Sequence, residues 1–167
     1  MNANSGTITQ VSSPHVHAIH QYWLALKGDR PAPELSEIDP TKIPPAALPY
    51  VILVDLESRP FRVRYRLVGT HGASIFGSYA GRYLDELEMP GDVEQQLTAD
   101  YSLAAWSCTP VFGRYKWPTK EGRDTVAEYA VMPLLNDGAV TRLFCAEHVG
   151  QHKNLYAEDL VPLRRKA

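Results

Sequence analysis

Arg66–Leu87 reads RLVGTHGASIFGSYAGRYLDEL and contains four of the 11 glycines of the chain. Gly72 and Gly77 have the outer spacing of a phosphate-binding loop, but Ser78 follows where the lysine that holds the phosphates is required. No G-x-G-x-x-G dinucleotide fingerprint occurs either. These glycines are therefore predicted to be architectural, with Gly77 and Gly81 allowing positive φ angles between short helical turns.

The composition predicts one folded domain. The 167 residues are 44% hydrophobic and 22% charged, with a net charge of −2 that offers polyanions no attractive field, so no nucleic-acid partner is predicted.

The longest apolar run, Val51–Val54, is too short to span a bilayer, and we predict a cytoplasmic protein with no membrane association. Cys108 and Cys145 lack CxxC partners and are predicted to be core residues.

The first predicted elements are a tail and a helix. Residues 1–12 are polar and unpatterned, which predicts a disordered tail. Ser13 can cap a helix whose first turn holds Pro14 and which ends near Gly28. Apolar residues then recur at helical spacing: Val16, Ile19, Trp23 and Leu26. This seam suits either the chain's own sheet or a second copy of the chain.

Strand patterns fill most of the remaining sequence. A helical pattern covers Asp92–Trp106, after the short turns of the glycine-rich stretch. Five segments read as strands: Tyr50–Leu56, Phe61–Val68, Thr109–Trp117, Asp124–Leu135 and Val140–Val149. The fold class predicted is α+β: a five-stranded antiparallel sheet with short helices gathered on one face, together with an N-terminal amphipathic helix.

The second of these strands alternates apolar residues with arginines. Side chains alternate across a strand, so Phe61, Val63, Tyr65 and Leu67 are predicted to share one face. The three intervening arginines then share the opposite face, where they are either solvated or paired with acids.

Five segments together resemble one family. They are YWLALKG (22–28), EIDPTKIP (37–44), LPYVILVDL (48–56), FRVRYRLVGT (61–70) and FGSYAGRYLDEL (76–87). In this order they resemble PAS domains, specifically the stand-alone PAS proteins common in alphaproteobacteria, over about residues 20–150. The domain boundaries predicted are a disordered tail 1–12, a helix and proline-rich connector 13–48, a PAS core 49–150 and a C-terminal tail 151–167.

The resemblance implies a non-enzymatic sensory module. Such domains enclose a pocket and bind a small molecule, a signalling protein or both, and stand-alone members often form homodimers, here expected through the first helix. No output segment is expected in residues 1–20 or 151–167, so any output would act through another protein. Aromatic residues on the predicted faces are candidates for the ligand-binding lining: Tyr65, Phe76, Tyr83, Tyr115, Trp117 and Tyr129. The alternative for this set is that it fills the core.

No cofactor is assigned from the sequence. Related haem sensors place an axial histidine on or near the long helix, and Asp92–Trp106 contains none. The light-sensing flavin proteins need a cysteine in an NCRFLQ-like motif, which is absent, and Cys108 lies at a predicted strand start. The cofactor is therefore left unknown.

Histidines are candidates for functional groups. His15, His17 and His20 lie near one another on the first helix, but without a nearby Cys, Asp or Glu ligand they predict a solvent-exposed helix edge and no metal site. His71 and His148 could face a pocket, although lone histidines are usually structural.

Two acids are candidates for catalysis. Glu128 and Glu147 fall on predicted strands and would suit acid and base roles if they met in a cleft; solvation at an edge or an arginine partner is the alternative. No catalytic residue is assigned. A small-molecule enzyme on a cone-shaped fold like that of ketosteroid isomerase stays open, although two strands before the short helices count against it. A ligand-free interaction module also stays open.

Overall fold

The computed structural model describes residues 8–89, 92–150, 161 and 163–166. These described residues contain three α-helices: α1 (Pro14–Lys27), α2 (Thr70–Phe76) and α3 (Val93–Ser107). They also contain seven strands, numbered in chain order: β1 (Val51–Glu57), β2 (Arg62–Val68), β3 (Leu87–Glu88), β4 (Val111–Pro118), β5 (Asp124–Asn136), β6 (Ala139–Val149) and β7 (Arg164–Arg165). Short 3₁₀ turns lie at Ile8–Gln10, Leu35–Glu37, Pro40–Lys42, Leu48–Tyr50 and Leu84–Glu86.

The main sheet has five antiparallel strands in the order β2-β1-β6-β5-β4, while β3 and β7 form a separate pair. This confirms the predicted α+β fold and its five strands. The Asn-Asp-Gly turn joins β5 to β6, with Asp137 and Gly138 at φ angles of 50° and 80°. Two positive φ angles in a two-residue loop match the right-handed twist of the flanking strands.

A β-bulge between β1 and β2 corrects one sequence prediction. Leu53 is paired with Leu67, but Val54 is paired with Tyr65, so Arg66 is an extra residue in β2. An extra residue reverses the alternation beyond it. Val63 and Tyr65 are buried as predicted, whereas Leu67 is turned to the opposite face and remains 45% exposed.

Two of the three arginines of β2 are paired with acids, while Arg64 donates to the carbonyl of Gly81. Arg62 forms an ion pair with Asp85 at 2.7 Å, and Arg66 lies 3.4 Å from Asp55. Arg142 of β6 reaches the same Asp55 carboxylate at 2.6 Å. Of the two alternatives that the sequence allowed, pairing is therefore observed for Arg62 and Arg66.

Helix α1 covers one face of the sheet, here called the outer face, together with the proline-rich connector. Val16, Ile19 and Trp23 are fully buried in one cluster with Met132 and Phe144. The Trp23 indole N–H donates to the carbonyl of Pro133 at 2.9 Å. The seam thus covers the chain's own sheet, and a homodimer through it would compete with this packing.

Helices α2 and α3 cover the opposite face, here called the inner face. Residues that alternate with those of the outer face point here from every strand, because side chains in a strand alternate between faces. The inner core includes Val63, Tyr65, Phe76, Leu97, Tyr101, Tyr115, Trp117, Tyr129, Leu143 and Cys145. The helices therefore occupy both faces of the sheet, with α1 alone opposite α2 and α3. Trp106 of α3 is 88% exposed.

Both chain ends contain structure that the sequence did not predict. Residues 1–12 were predicted to be disordered; Ile8–Gln10 form a 3₁₀ turn and Val11 is buried, while residues 1–7 lie outside the described residues. In the predicted C-terminal tail, β7 pairs with β3. Residues 151–160 lie outside the described residues. The polar composition of these two segments does not predict their structure, because that structure depends on hydrogen bonds to residues distant in the sequence.

Cys145 is buried as predicted, whereas Cys108 is only half-buried and ends α3 in a left-handed conformation. Across the part of the chain that the structure describes, no helix is long and apolar enough to span a membrane.

Candidate functional site

The interior between the sheet and helices α2 and α3 is filled by aromatic side chains. A cavity of about 10 Å³ lies among these rings, which is no more than about one water molecule needs. Neighbouring rings meet edge to face, with centroids 4.7 Å apart for Phe76 and Trp117 and 4.8 Å apart for Tyr65 and Tyr79. The side chains that line this interior cavity are Tyr65, Phe76, Tyr79, Met89, Leu97, Tyr115, Trp117, Glu147 and Leu163.

Four of the six aromatic residues that the sequence selected lie together in this lining: Tyr65, Phe76, Tyr115 and Trp117. Tyr129 packs beside them, with its ring centroid 5.9 Å from that of Tyr115. Its hydroxyl donates to the buried carboxylate of Asp100 and accepts from Gln96. Tyr129 is thus held in place by a polar network at the edge of the interior.

Tyr83 does not join this group. Its hydroxyl donates to Glu57, and the Arg62 guanidinium carbon lies 3.6 Å from the centroid of its ring. This is a cation–π contact on the surface beside β2. The sequence could not separate Tyr83 from the others because the turn that carries it has no strand periodicity.

Among the described residues that line the interior cavity, Glu147 is the one with a carboxyl group. Burial raises the pKa of its carboxyl to about 7, and a hydrogen bond with Tyr115 partly offsets that shift. Burial also holds the pKa values of Tyr65, Tyr79 and Tyr115 well above their ordinary values, so these hydroxyls keep their protons near neutral pH. Among the described residues, no basic side chain forms an ion pair with Glu147.

The C-terminal segment, residues 161 and 163–166, closes one side of the interior. Leu163 lines the cavity, and the Trp117 indole N–H donates to the carbonyl of Val161 at 2.7 Å. The backbone of β7 pairs with β3, and Lys166 forms an ion pair with Glu94 at 2.7 Å. The interior is therefore closed by a segment far along the chain from the strands and helices that form it.

Glu128 and Glu147 cannot form a catalytic pair. Glu128 of β5 is paired with His148, and Glu147 is the preceding residue of β6, so the two carboxyls point to opposite faces of the sheet. The Glu128 carboxylate accepts from the backbone N–H groups of Ser12 and Ser13 at 2.7 and 2.9 Å.

The pKa of Glu128 is set by burial and by several hydrogen bonds that together outweigh it. Burial acts to raise the pKa of Glu128, but these hydrogen bonds and Arg114, 3.6 Å away, hold it below its ordinary value. The arginine partner that the sequence analysis allowed is present. Glu147 fits neither alternative, because it is buried and has no arginine partner among the described residues.

His71 and His148 come together with His15 and Tyr50. Five of the six ring pairs in this group have centroids 4.1 to 5.4 Å apart. The backbone N–H of Val149 donates to Nε2 of His71, and burial first, then His148 and His15, lower the pKa of His71 to about 4. A neutral ring therefore joins α2 to the end of β6.

The exposed helix edge predicted for the first-helix histidines is wrong for His20. Its ring is buried and packs edge-on against Phe112, with centroids 4.9 Å apart. Burial first, and His17 second, lower the pKa of His20. Within the described ranges, no group of three or more His, Cys, Asp or Glu side chains is arranged to hold a metal ion.

The family comparison agrees with this architecture. The family model described as "PAS domain" matches residues 11–144. The chain belongs to the PAS domain family. No curated protein matches this PAS domain.

Two solved structures are similar. One is the PAS domain of a protein from Colwellia psychrerythraea, 15% identical, covering 59% of this chain and 83% of that chain with a TM-score of 0.43. The other is an RNA-binding light-oxygen-voltage receptor, 13% identical, covering 64% of this chain and 31% of that chain with a TM-score of 0.38.

Four described lining residues of this PAS domain are not among those that the sequence selects, besides Glu147. Leu97 lies on α3, Tyr79 lies between α2 and the next 3₁₀ turn, and Met89 and Leu163 lie outside every predicted strand or helix. Of the last three, Tyr79 alone has a usable signal, since large aromatic side chains are usually packed in a core or an interface. The position of Glu147 in the interior follows from the strand register and not from the local sequence.

Proposed function

We propose that this PAS domain is a sensory and regulatory module that acts by contact with a signalling protein and catalyses no reaction. The observation that carries the proposal is the aromatic packing of the interior, where the cavity among the rings has a volume of about 10 Å³. Small-molecule sites in proteins usually have about 300–1,000 Å³. Because its own aromatic side chains occupy the interior, we expect the domain to signal through contacts between its surface and other molecules.

The arrangement of the acids supports a non-enzymatic role. General acid and base groups must lie within hydrogen-bond distance of a bound substrate. Glu147 has a suitable pKa near 7, but it faces a closed interior, and Glu128 is engaged with the backbone of Ser12 and Ser13. Neither carboxyl has the access that an enzyme on the ketosteroid isomerase pattern would need.

The filled interior can be tested by truncating Phe76 to alanine. If Phe76 is a core residue, Phe76→Ala lowers the free energy of unfolding by about 3–5 kcal/mol, measured by urea denaturation. Leu103→Ala on the exposed side of α3 is the matched control and is expected to cost less than about 0.5 kcal/mol. A Phe76→Ala variant as stable as the native chain would show that Phe76 lines a ligand space and would contradict the proposal.

A second candidate is a sensor whose ligand enters the interior. The Glu147 carboxyl, which forms no ion pair with a basic side chain of the described residues, favours it, because a polar group inside an aromatic lining is typical of ligand sites. Native mass spectrometry and an absorption spectrum of the freshly purified protein distinguish the two candidates. A non-covalent adduct or chromophore that is lost in Glu147→Gln would support an internal ligand.

A further inference from the structure

A second cavity lies on the outer face, between the proline-rich connector and strands β1 and β2. Its volume is about 460 Å³, far more than the interior offers. Leu53, Leu67 and Phe144 contribute from the sheet, while Ile43 and Pro45 contribute from the connector. We call this cavity the outer groove. It is distinct from the interior on which the proposed function rests.

The β-bulge in β2 is what makes the groove apolar on its sheet side. Without the extra residue Arg66, Leu67 would point to the inner face with Tyr65. Instead Leu67 is 45% exposed in the groove, and Leu48 on the connector is 40% exposed there. They are two of the four large hydrophobic side chains that are exposed in the described part of the chain. Exposed apolar surface concentrated in a cavity is typical of a binding site.

The groove is preformed, because its two walls are fixed to each other. The backbone N–H of Gly69, at the end of β2, donates to the carbonyl of Val51 at 2.8 Å. A Cβ atom at Gly69 would lie only 2.2 Å from the Pro49 carbonyl oxygen, so the connector and the strand end are in direct contact. Ile43 anchors the connector in the outer core. A rigid cavity loses little conformational entropy when a ligand binds.

The lining defines the chemistry of the ligand. None of the thirteen described residues that line the groove is charged, and Thr70 is the one among them with a polar side chain. Pro40, Pro45 and Pro49 have no backbone N–H that would need an acceptor. A neutral, apolar molecule therefore binds here without leaving buried polar groups unpaired, whereas an ionised group would lose hydration without compensation.

We propose that the outer groove binds a neutral apolar small molecule. Its volume lies within the range of about 300–1,000 Å³ found for small-molecule sites. A protein partner or a second copy would need a larger surface, since stable interfaces use about 20–30 residues on each side. The groove also lies on a face of the sheet and not along an edge. A molecule bound in it therefore does not pair with an edge strand as an added peptide strand would.

The test uses the full chain and N-phenyl-1-naphthylamine, a neutral apolar dye whose fluorescence rises in apolar surroundings. We expect saturable binding of one dye molecule per chain. Leu67→Gln is expected to weaken that affinity by about tenfold, because it removes apolar contact and adds an amide. Leu103→Gln is the matched control: Leu103 is 44% exposed on α3, outside the groove, and its replacement is expected to leave binding unchanged.

Other outcomes overturn the proposal. Absence of saturable binding would do so, and so would equal weakening by Leu67→Gln and Leu103→Gln. A dimer in sedimentation that Leu67→Gln dissociates would show that the groove is an interface between copies. Dye binding that is lost in Glu147→Gln and retained in Leu67→Gln would place the dye in the interior. The Phe76→Ala result is independent of all these outcomes.

Discussion

At the scale of single residues, Glu147 combines burial with a carboxyl that titrates near neutral pH. Its pKa rises from an ordinary value of 4.5 to about 7 in the folded chain. Between pH 4.5 and about pH 7, the Glu147 carboxyl is therefore mostly protonated in the folded protein and mostly ionised in the unfolded chain. By linkage, the stabilisation from Glu147 is complete below pH 4.5 and is lost as the pH rises to about 7.

Glu147→Gln should therefore stabilise the protein in mildly alkaline solution. At about pH 8 we expect a gain in unfolding free energy of about 2–3 kcal/mol, because the buried negative charge is gone while an acceptor for Tyr115 is kept. Near pH 4 the variant and the native chain should be equally stable. Urea denaturation across this pH range measures the difference. Glu121→Gln, at an exposed turn, is the control; an equal gain at both pH values would contradict the titration of Glu147.

Single residues also show where sequence reasoning reached its limit. The aromatic residues of the interior could be selected because strand alternation predicts which face a side chain occupies. The same rule failed at Leu67, since nothing in the local sequence marks Arg66 as an extra residue in the pairing with β1. The environment of Glu147 was equally hidden, because its burial depends on Tyr65, Tyr115 and Leu163, which are distant in sequence.

At the scale of elements, helix α1 depends on what precedes it. Ser13 accepts a hydrogen bond from the backbone N–H of Val16, and its hydroxyl lies 2.8 Å from Nδ1 of His148. The backbone N–H groups of Ser12 and Ser13 point to the Glu128 carboxylate. The start of α1 is thereby joined to the middle of the sheet by charge-assisted hydrogen bonds, which are stronger than neutral ones.

Replacing Glu128 with glutamine should loosen this junction. A carboxylate accepts from every donor around it, whereas an amide turns its NH₂ group towards one of them. We expect Glu128→Gln to lower the free energy of unfolding by about 1–3 kcal/mol and to speed hydrogen exchange at Ser12 and Ser13, whose N–H groups donate to this carboxylate. Hydrogen exchange with mass spectrometry measures both ends of α1. Faster exchange at the C-terminal end of α1 alone would contradict this account, and Glu121→Gln again serves as the control.

Most elements could be predicted because each has a strong local signal. Ser13-Pro14 marks the start of α1, and Asn-Asp-Gly marks the β5–β6 hairpin, both as observed. The face that α1 covers was not predictable, since an amphipathic seam needs an apolar surface and does not specify which one. The strands β3 and β7 were missed because two-residue strands have no periodicity, and their pairing joins segments far apart in the chain.

At the scale of the whole molecule, the sheet separates two cores that are closed in different ways. The outer core is covered by α1 and the connector, while the inner core is closed in part by the C-terminal segment. That segment holds Val161 against Trp117 and β7 against β3. The stability of the interior is therefore expected to depend on residues beyond the last strand of the main sheet.

Deleting residues 161–167 should expose the interior cavity. The indole N–H of Trp117 loses its carbonyl partner and β3 loses its pairing, so we expect a loss of about 1–3 kcal/mol and faster hydrogen exchange at Leu87 and Glu88. Lys166→Gln, which removes only the ion pair with Glu94, should change stability by less than about 1 kcal/mol. Unchanged exchange in β3 after the deletion would show that the segment does not close the interior.

The three tryptophans of this chain lie in three different surroundings. Trp23 is buried in the outer core, Trp117 is buried beside the C-terminal segment, and Trp106 is 88% exposed. A water-soluble quencher should therefore extinguish the emission of Trp106 first and leave that of the other two. With Trp106 replaced by phenylalanine, the remaining emission becomes an optical signal that comes from the two faces of the sheet, without any attached label.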